Sequence, residues 1–340
     1  MNAEPQSTSS GPSLGRGLII AAAVAIVLIG MRFGSYLVVL VVFSALVTLL
    51  LAPLQQRLLA RGMRTSVALS LCIGTYVVVL GVAAVIVIIG VADFVNNLPS
   101  YRNAIEVAMD KLFGPSELAQ QLVGVIADVA QSLVSTIGSG VVVIGYSVIV
   151  VAYFLVEARR GRKRLLWAAR GNDEVVDRSL EMTHRMQSFV VARTVLGLVA
   201  AVVETVVLIV LGIPSALLWG VLSFLMSFVP NIGFIVALIP PAVLALGLYG
   251  PLMALAVVVA YSITNFAVDY ILQPRYIGTS VNMSALIVTL SIVFWGLILG
   301  PAGALLAIPL TIAAIALADS FPDSRPFARL LVDDVEPTTD

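Results

Sequence analysis

One carboxylate, Glu204, stands in the 75 residues from Thr194 to Val268, which hold no other charged side chain. A charge in such surroundings is costly unless it is paired, protonated or facing water. A carboxyl group there that takes up and releases a proton is what an ion-coupled exchanger needs. The structural alternative is a carboxylic acid hydrogen-bonded to a neighbouring helix or at a subunit contact. Arg193 lies eleven residues earlier, about three turns away and near the interface, where it snorkels. Asn231, Thr264, Asn265, Asp269 and Gln273 supply further polar atoms in the same half. Oxygen ligands of this kind suit Na⁺ or the hydroxyls of a small metabolite, and they equally suit bonds between helices. Asp269 and Arg275 flank an inner loop, which favours an interface role, yet Asp269 remains the second candidate for proton coupling.

These groups need a scaffold, and its centre is the run from Gly212 to Pro241, GIPSALLWGVLSFLMSFVPNIGFIVALIPP. It carries no charge, so hydrocarbon can host it. Pro230, Asn231 and Gly233 sit together in its middle, and Pro240 with Pro241 follow in tandem. Proline removes a backbone donor and clashes with the preceding turn, so a helix through 216–248 breaks near Pro230. A break at membrane depth is tolerated only where protein or a wet cavity satisfies the freed groups, and in transporters such breaks mark binding sites. The other reading is a short turn outside the membrane. Arm 216–229 has 14 residues, short of the roughly 20 needed for a crossing. We therefore expect a re-entrant hairpin.

Composition sets the class. The 340 residues are 60% apolar and 11% charged, against about 25% charged in soluble domains. With a mean hydropathy of +1.08, the chain reads as an integral membrane protein, all-α and polytopic. Its 19 basic and 19 acidic residues balance, which offers nucleic acid no general footprint. Lipid is its obligate partner, and the apolar surface of the N-terminal half permits a homo-oligomer.

Residues 1–15 read as a disordered tail. Runs 17–30, 33–52 and 66–92 form a three-span unit over 16–92; an uncleaved first span fits better than a cleaved signal because a second run follows at once. Arg57, Arg61 and Arg64 place the loop between the second and third spans inside. Segment 93–139 has five acids and two bases with helical periodicity, and reads as extracytoplasmic amphipathic helices, either a vestibule or a packed cap. Region 140–188 holds a fourth span, the basic run EARRGRKR at 157–164 that marks the inner face, and a charged helix. Residues 189–318 form the transport core, divided again at Gly300–Gly303, and 319–340 an acidic cytoplasmic tail. The count is eight spans with both termini inside. Two full crossings at 216–248 would make ten.

Enzymatic chemistry lacks its residues. Cys72 is the one cysteine, and no Walker glycine–lysine motif or HExxH pair occurs, so neither ATP drive nor a bound metal or other cofactor is expected. His184 is the one histidine. On a charged helix it reads as surface, and its distance in sequence from Ser139 argues against a Ser–His hydrolase.

The second half resembles the autoinducer-2 exporter (AI-2E) family, the PerM-like permeases. The resemblance rests on LGIPSALLWGVLSFLMSFVPNIGFIVALIPP at 211–241, NFAVDYILQPRYIG at 265–278 and SIVFWGLILGPAGALLAIPLT at 291–311. It covers residues 16–320, tightly from 189 onward. It implies an eight-span secondary transporter, with export of the quorum-sensing signal autoinducer-2 in some members and Na⁺(Li⁺)/H⁺ exchange in others. Pro230, Asn231 and Gly233 match the family's proline–glycine turn; Gln273, Pro274 and Gly278 match a short loop. Phe234 stands where small residues or proline are common, and Gln273 where an acid occurs. If that acid couples cations in some members, either Glu204 or Asp269 replaces it here or transport is uncoupled.

The expectation is thus an inner-membrane secondary transporter that exports a small polar solute by alternating access. Glu204 would carry the proton, with Pro230, Asn231, Gly233, Asn265, Gln273 and Pro274 along the pathway. The rivals are a Na⁺(Li⁺)/H⁺ antiporter using the same cavity and a channel-like or scaffold protein with no transport cycle.

Overall fold

In the computed structural model, residues 14–114, 145–158, 173–230, 232–274 and 284–319 are described, with positions 121, 124 and 164. They form helices α1 (Leu14–Phe33), α2 (Ser35–Ala60), α3 (Thr65–Phe113), α4 (Gly145–Ala158), α5 (Asp173–Val210), α6 (Ala216–Met226), α7 (Ile232–Tyr249), α8 (Pro251–Phe266), α9 (Ala285–Leu299), α10 (Pro301–Leu305) and α11 (Ala307–Asp319). No strand occurs among the described residues. Five helical stretches, within α2, α3, α5, α7 and α8 with its continuation, are long and apolar enough to cross a bilayer. Large apolar side chains such as Val78, Val82, Ile89, Val202 and Ile209 stand on the outside. Hydrocarbon covers such a surface at no cost, so the molecule is an all-α polytopic membrane protein.

Arg57 in the last turn of α2, with Arg61 and Arg64 in the turn that follows, defines a basic end of the bundle. The N-terminal half of α5 lies towards this end: Gln187 Nε2 donates to the carbonyl of Leu49, on the stretch of α2 that leads to Arg57 (3.0 Å).

The helix over 216–248 breaks where expected. Helix α6 stops at Met226 and α7 starts at Ile232, so Pro230 falls in the intervening turn. Bonds from Val229 N to Met226 O, and from Gly233 N to Val229 O, both 2.9 Å, close it. A Cβ on Gly233 would meet the Met226 carbonyl, which is why glycine stands there. The tandem Pro240 and Pro241 do not interrupt α7. At 1.5 Å per residue the 11 residues of α6 span about 16 Å, half of a hydrocarbon core. The turn meets α5 at Gly197, where a Cβ would strike the Ser227 hydroxyl. Gly197 precedes the end of α5 at Val210 by 13 residues, about 20 Å. The hairpin therefore turns round inside the depth of the bundle.

One expectation is corrected. The third helix does not end at Asp93 but runs unbroken to Phe113, with Pro99 inside it. The face bearing Phe94, Leu98, Tyr101, Ile105 and Met109 packs on the hairpin, and Ile105 rests against the backbone of Gly247. Burial of that face outweighs the bond lost at Pro99. Most of 115–144, the basic run 159–163 and the two chain ends lie outside the described residues.

The last helices fold as a second hairpin. Gly300, with φ of 73°, breaks the chain between α9 and α10, as the expected division at 300–303 requires. Trp295 Nε1 donates to Thr311 Oγ1 across it (3.0 Å). Val229, at the tip of the first hairpin, packs on Ile292, Trp295 and Leu310 of the second.

Candidate functional site

Small residues bring three helices together around Glu204. Gly220 of α6 lies so close to α5 that a Cβ would meet the Thr205 hydroxyl and approach the Ala201 carbonyl to 3.4 Å. Thr205 turns its hydroxyl back on that carbonyl (2.6 Å), which removes one competitor for the neighbouring carboxylate. Such close backbone approach is how membrane helices pack without a hydrophobic driving force. Glu204 is 2% exposed.

The partner of Glu204 comes from α8. Asn265 Nδ2 donates to Glu204 Oε1 at 2.7 Å and to the Tyr261 carbonyl at 2.9 Å. The second bond ties the amide to its own helix, so the first is aimed before Glu204 arrives. Among the described residues no ion pair involves Glu204. Ser223 of α6 stands beside both Glu204 and Tyr261. The Ser223 and Tyr261 hydroxyls are buried, and Ser223 lies within hydrogen-bonding reach of both the acid and the phenol. The centre thus holds a carboxyl group, an amide and two hydroxyls.

Asp269 lies one turn beyond Asn265, in a π-helical turn, Ala267–Leu272, that continues α8. Its Oδ1 meets Arg193 Nη1 at 3.4 Å; the side chains are 46% and 12% exposed respectively. Arg193 is thus the partner of Asp269. Gln273 follows the π turn, with Oε1 buried and unpartnered, and Pro274 is exposed.

The structure therefore joins Glu204 to Asn265, and Asp269 to Arg193, through helices α5 and α8. It does not bring Pro230 or Gly233 to the carboxyl: their turn lies beside Gly197, seven residues or about 10 Å along α5 from Glu204. Asn231 and Gly278 lie outside the described residues. Sequence reasoning missed Ser223 and Tyr261. For Tyr261 a signal exists, since it precedes Asn265 by four residues and so shares its face.

A sequence model of the AI-2E family transporters matches residues 19–323. The chain belongs to the AI-2E transporter family. The protein of Escherichia coli K12 named AI-2 transport protein TqsA is 27% identical over 351 residues, covering 97% of this chain and 98% of that one. YhhT of the same strain is 25% identical over 90% of both chains. A Haemophilus influenzae relative is 27% identical over 94% of this chain and 97% of its own. Within this AI-2E transporter, the α6–α7 hairpin and the Glu204–Asn265 pair occupy one seam, α6 packed on α5 and α5 on α8. A buried acid with neutral partners at such a seam can exchange a proton without dismantling an ion pair.

Proposed function

We propose that this AI-2E transporter is a secondary transporter of the bacterial inner membrane that exports a small polar solute, with Glu204 taking up and releasing the coupling proton. The chain would make and break no covalent bond in its cargo. The observation that carries the proposal is the bond from Asn265 Nδ2 to a carboxyl group sealed among three helices, with no ion pair to it among the described residues. Buried ionisable groups in membrane helices are functional by default, and this one has neutral donors that serve either protonation state. The name of the E. coli relative, AI-2 transport protein, supports a small polar signal as cargo. The basic loops support an orientation with both termini in the cytoplasm. Asn265, and nearer the basic end Gln273, are the polar ligands along the path.

A second reading draws on the two buried hydroxyls beside the acid. Ser223 Oγ, Tyr261 OH and the Glu204 carboxylate form an oxygen set of the kind a hard cation takes, so Na⁺ or Li⁺ would compete with the proton for one centre. The test is flux in proteoliposomes with an internal pH dye, comparing the native chain with Glu204→Gln. Solute flux that responds to a proton gradient, and loses that response in the variant, supports the exporter. Proton movement triggered by Na⁺ or Li⁺ alone and absent in the variant supports the antiporter. Gradient-driven flux identical in both chains would sink the assignment to Glu204.

A further inference from the structure

Among the described residues, the two ends of the α5–α8 seam are closed differently. At the end away from the basic turn, Asp93 Oδ2 accepts from Ser215 Oγ (2.7 Å), and Tyr249 OH donates to the Gly212 carbonyl (2.8 Å). Beneath them Trp219 packs edge-on against Phe94 (5.2 Å between centroids), while its indole N–H donates to the Pro214 carbonyl. The closure there is several layers thick. Towards the basic end, one turn separates Asn265 from the half-exposed Asp269. Val268 lies between them and packs with Leu196 and Ala200 of α5 and with Leu272 beyond Asp269, and the Arg193–Asp269 pair stands at this level.

That pair is made to part. It holds by one contact at 3.4 Å, whereas charge-assisted bonds between nitrogen and carboxylate run about 2.7–2.9 Å. Arg193 Nε is buried without a partner, and so is Gln273 Oε1. Asp269 sits in a π turn, and relaxation of a π turn to α-helix turns the residues that follow relative to those before. Here that change would swing Asp269 and Gln273 relative to Asn265.

We propose that Arg193 and Asp269 form the closure over the Glu204 centre at the basic end, and that Glu204 is reached from that end when the pair separates. Arg193 is then a positioning residue that sets sidedness. The inference rests on reading the Glu204 centre as the transport site, and its test reads access instead of flux, so the two fail separately.

The probe is the thiol introduced by Ser223→Cys in a chain carrying Cys72→Ala, sealed in vesicles. A charged, impermeant methanethiosulfonate is added from one side or the other. Arg61→Cys in the same background reports which side bears the basic end. With the pair intact the buried thiol reacts slowly from both sides. Arg193→Ala, or the isosteric Asp269→Asn, raises the rate about fivefold from the basic end alone, the change expected for loss of a partly exposed ion pair. The exchange Arg193→Asp with Asp269→Arg brings the rate back down. Ala200→Cys is a second probe if Ser223→Cys does not fold. Acceleration from the opposite end, or none in either folded single variant, overturns the proposal.

Discussion

Replacing Asn265 by leucine removes the 2.7 Å hydrogen bond that α8 makes to Glu204 Oε1. The carboxyl oxygen is then stranded in a site where it is 2% exposed, and a stranded buried acceptor costs about 1–3 kcal/mol. Glu204→Leu is milder, because Asn265 Nδ2 keeps the Tyr261 carbonyl and loses one bond, about 0.5–1.5 kcal/mol. The double variant strands neither group. Its loss falls short of the sum of the singles by the coupling of the pair, about 0.6–1.7 kcal/mol between membrane helices. The assay is reversible unfolding of purified protein in mixed micelles with rising SDS, comparing all four chains. Additive losses would mean that the two side chains do not meet, and Glu204→Leu costing more than Asn265→Leu would equally contradict this pairing.

Three further outcomes follow from particular contacts. Gly233→Ala drives a Cβ into the Met226 carbonyl, a backbone atom that cannot swing aside, and lowers stability in the same assay by about 1–3 kcal/mol. Gly81→Ala on α3 meets nothing within 4 Å and is neutral or stabilising by up to about 1 kcal/mol, which makes it the control. Ser215 has φ of 56°, so Ser215→Ala keeps the left-handed cost and loses the bond to Asp93, about 1 kcal/mol. Ser215→Gly loses the same bond but relieves that cost and stays near neutral, a contrast that melting of the two proteins reads directly. Export from proteoliposomes accelerates under a proton gradient in the native chain, whereas Glu204→Gln is indifferent to the gradient at every pH tested.

The elements that sequence displays best are those set by one residue type. The run without charges, the helix end before Pro230 and the break at Gly300 each follow from what hydrocarbon or backbone sterics forbid. The shortness of the arm 216–229, seen as the 11-residue α6, is likewise legible from the position of Pro230. Glu204 was legible because it has no charged neighbours in the chain. Its partner was not, because Asn265 lies 61 residues away and membrane helices are apolar all round, so no periodicity tells which face meets which helix. Small residues carry that information instead: Gly197 and Gly220 fix where α6 lies on α5, and so bring Ser223 to the carboxyl. In α3 the polar residues 93–97 and Pro99 read as an end, but Asn97 Nδ2 bonds back to Asp93 Oδ1 and the aromatic face beyond is buried. The π turn after Phe266 has no sequence mark at all.

On the function proposed here, Glu204 takes up and releases a proton inside the bundle. Infrared difference spectroscopy of the protein in lipid, recorded across a pH titration, observes this directly through the carbonyl stretch of a protonated carboxyl group. We predict one such band that titrates in the native chain, shifts in Asn265→Leu because its hydrogen bond is lost, and is missing in Glu204→Gln. A band that persists unchanged in Glu204→Gln, or a native spectrum without a titrating carboxyl group, would contradict the account.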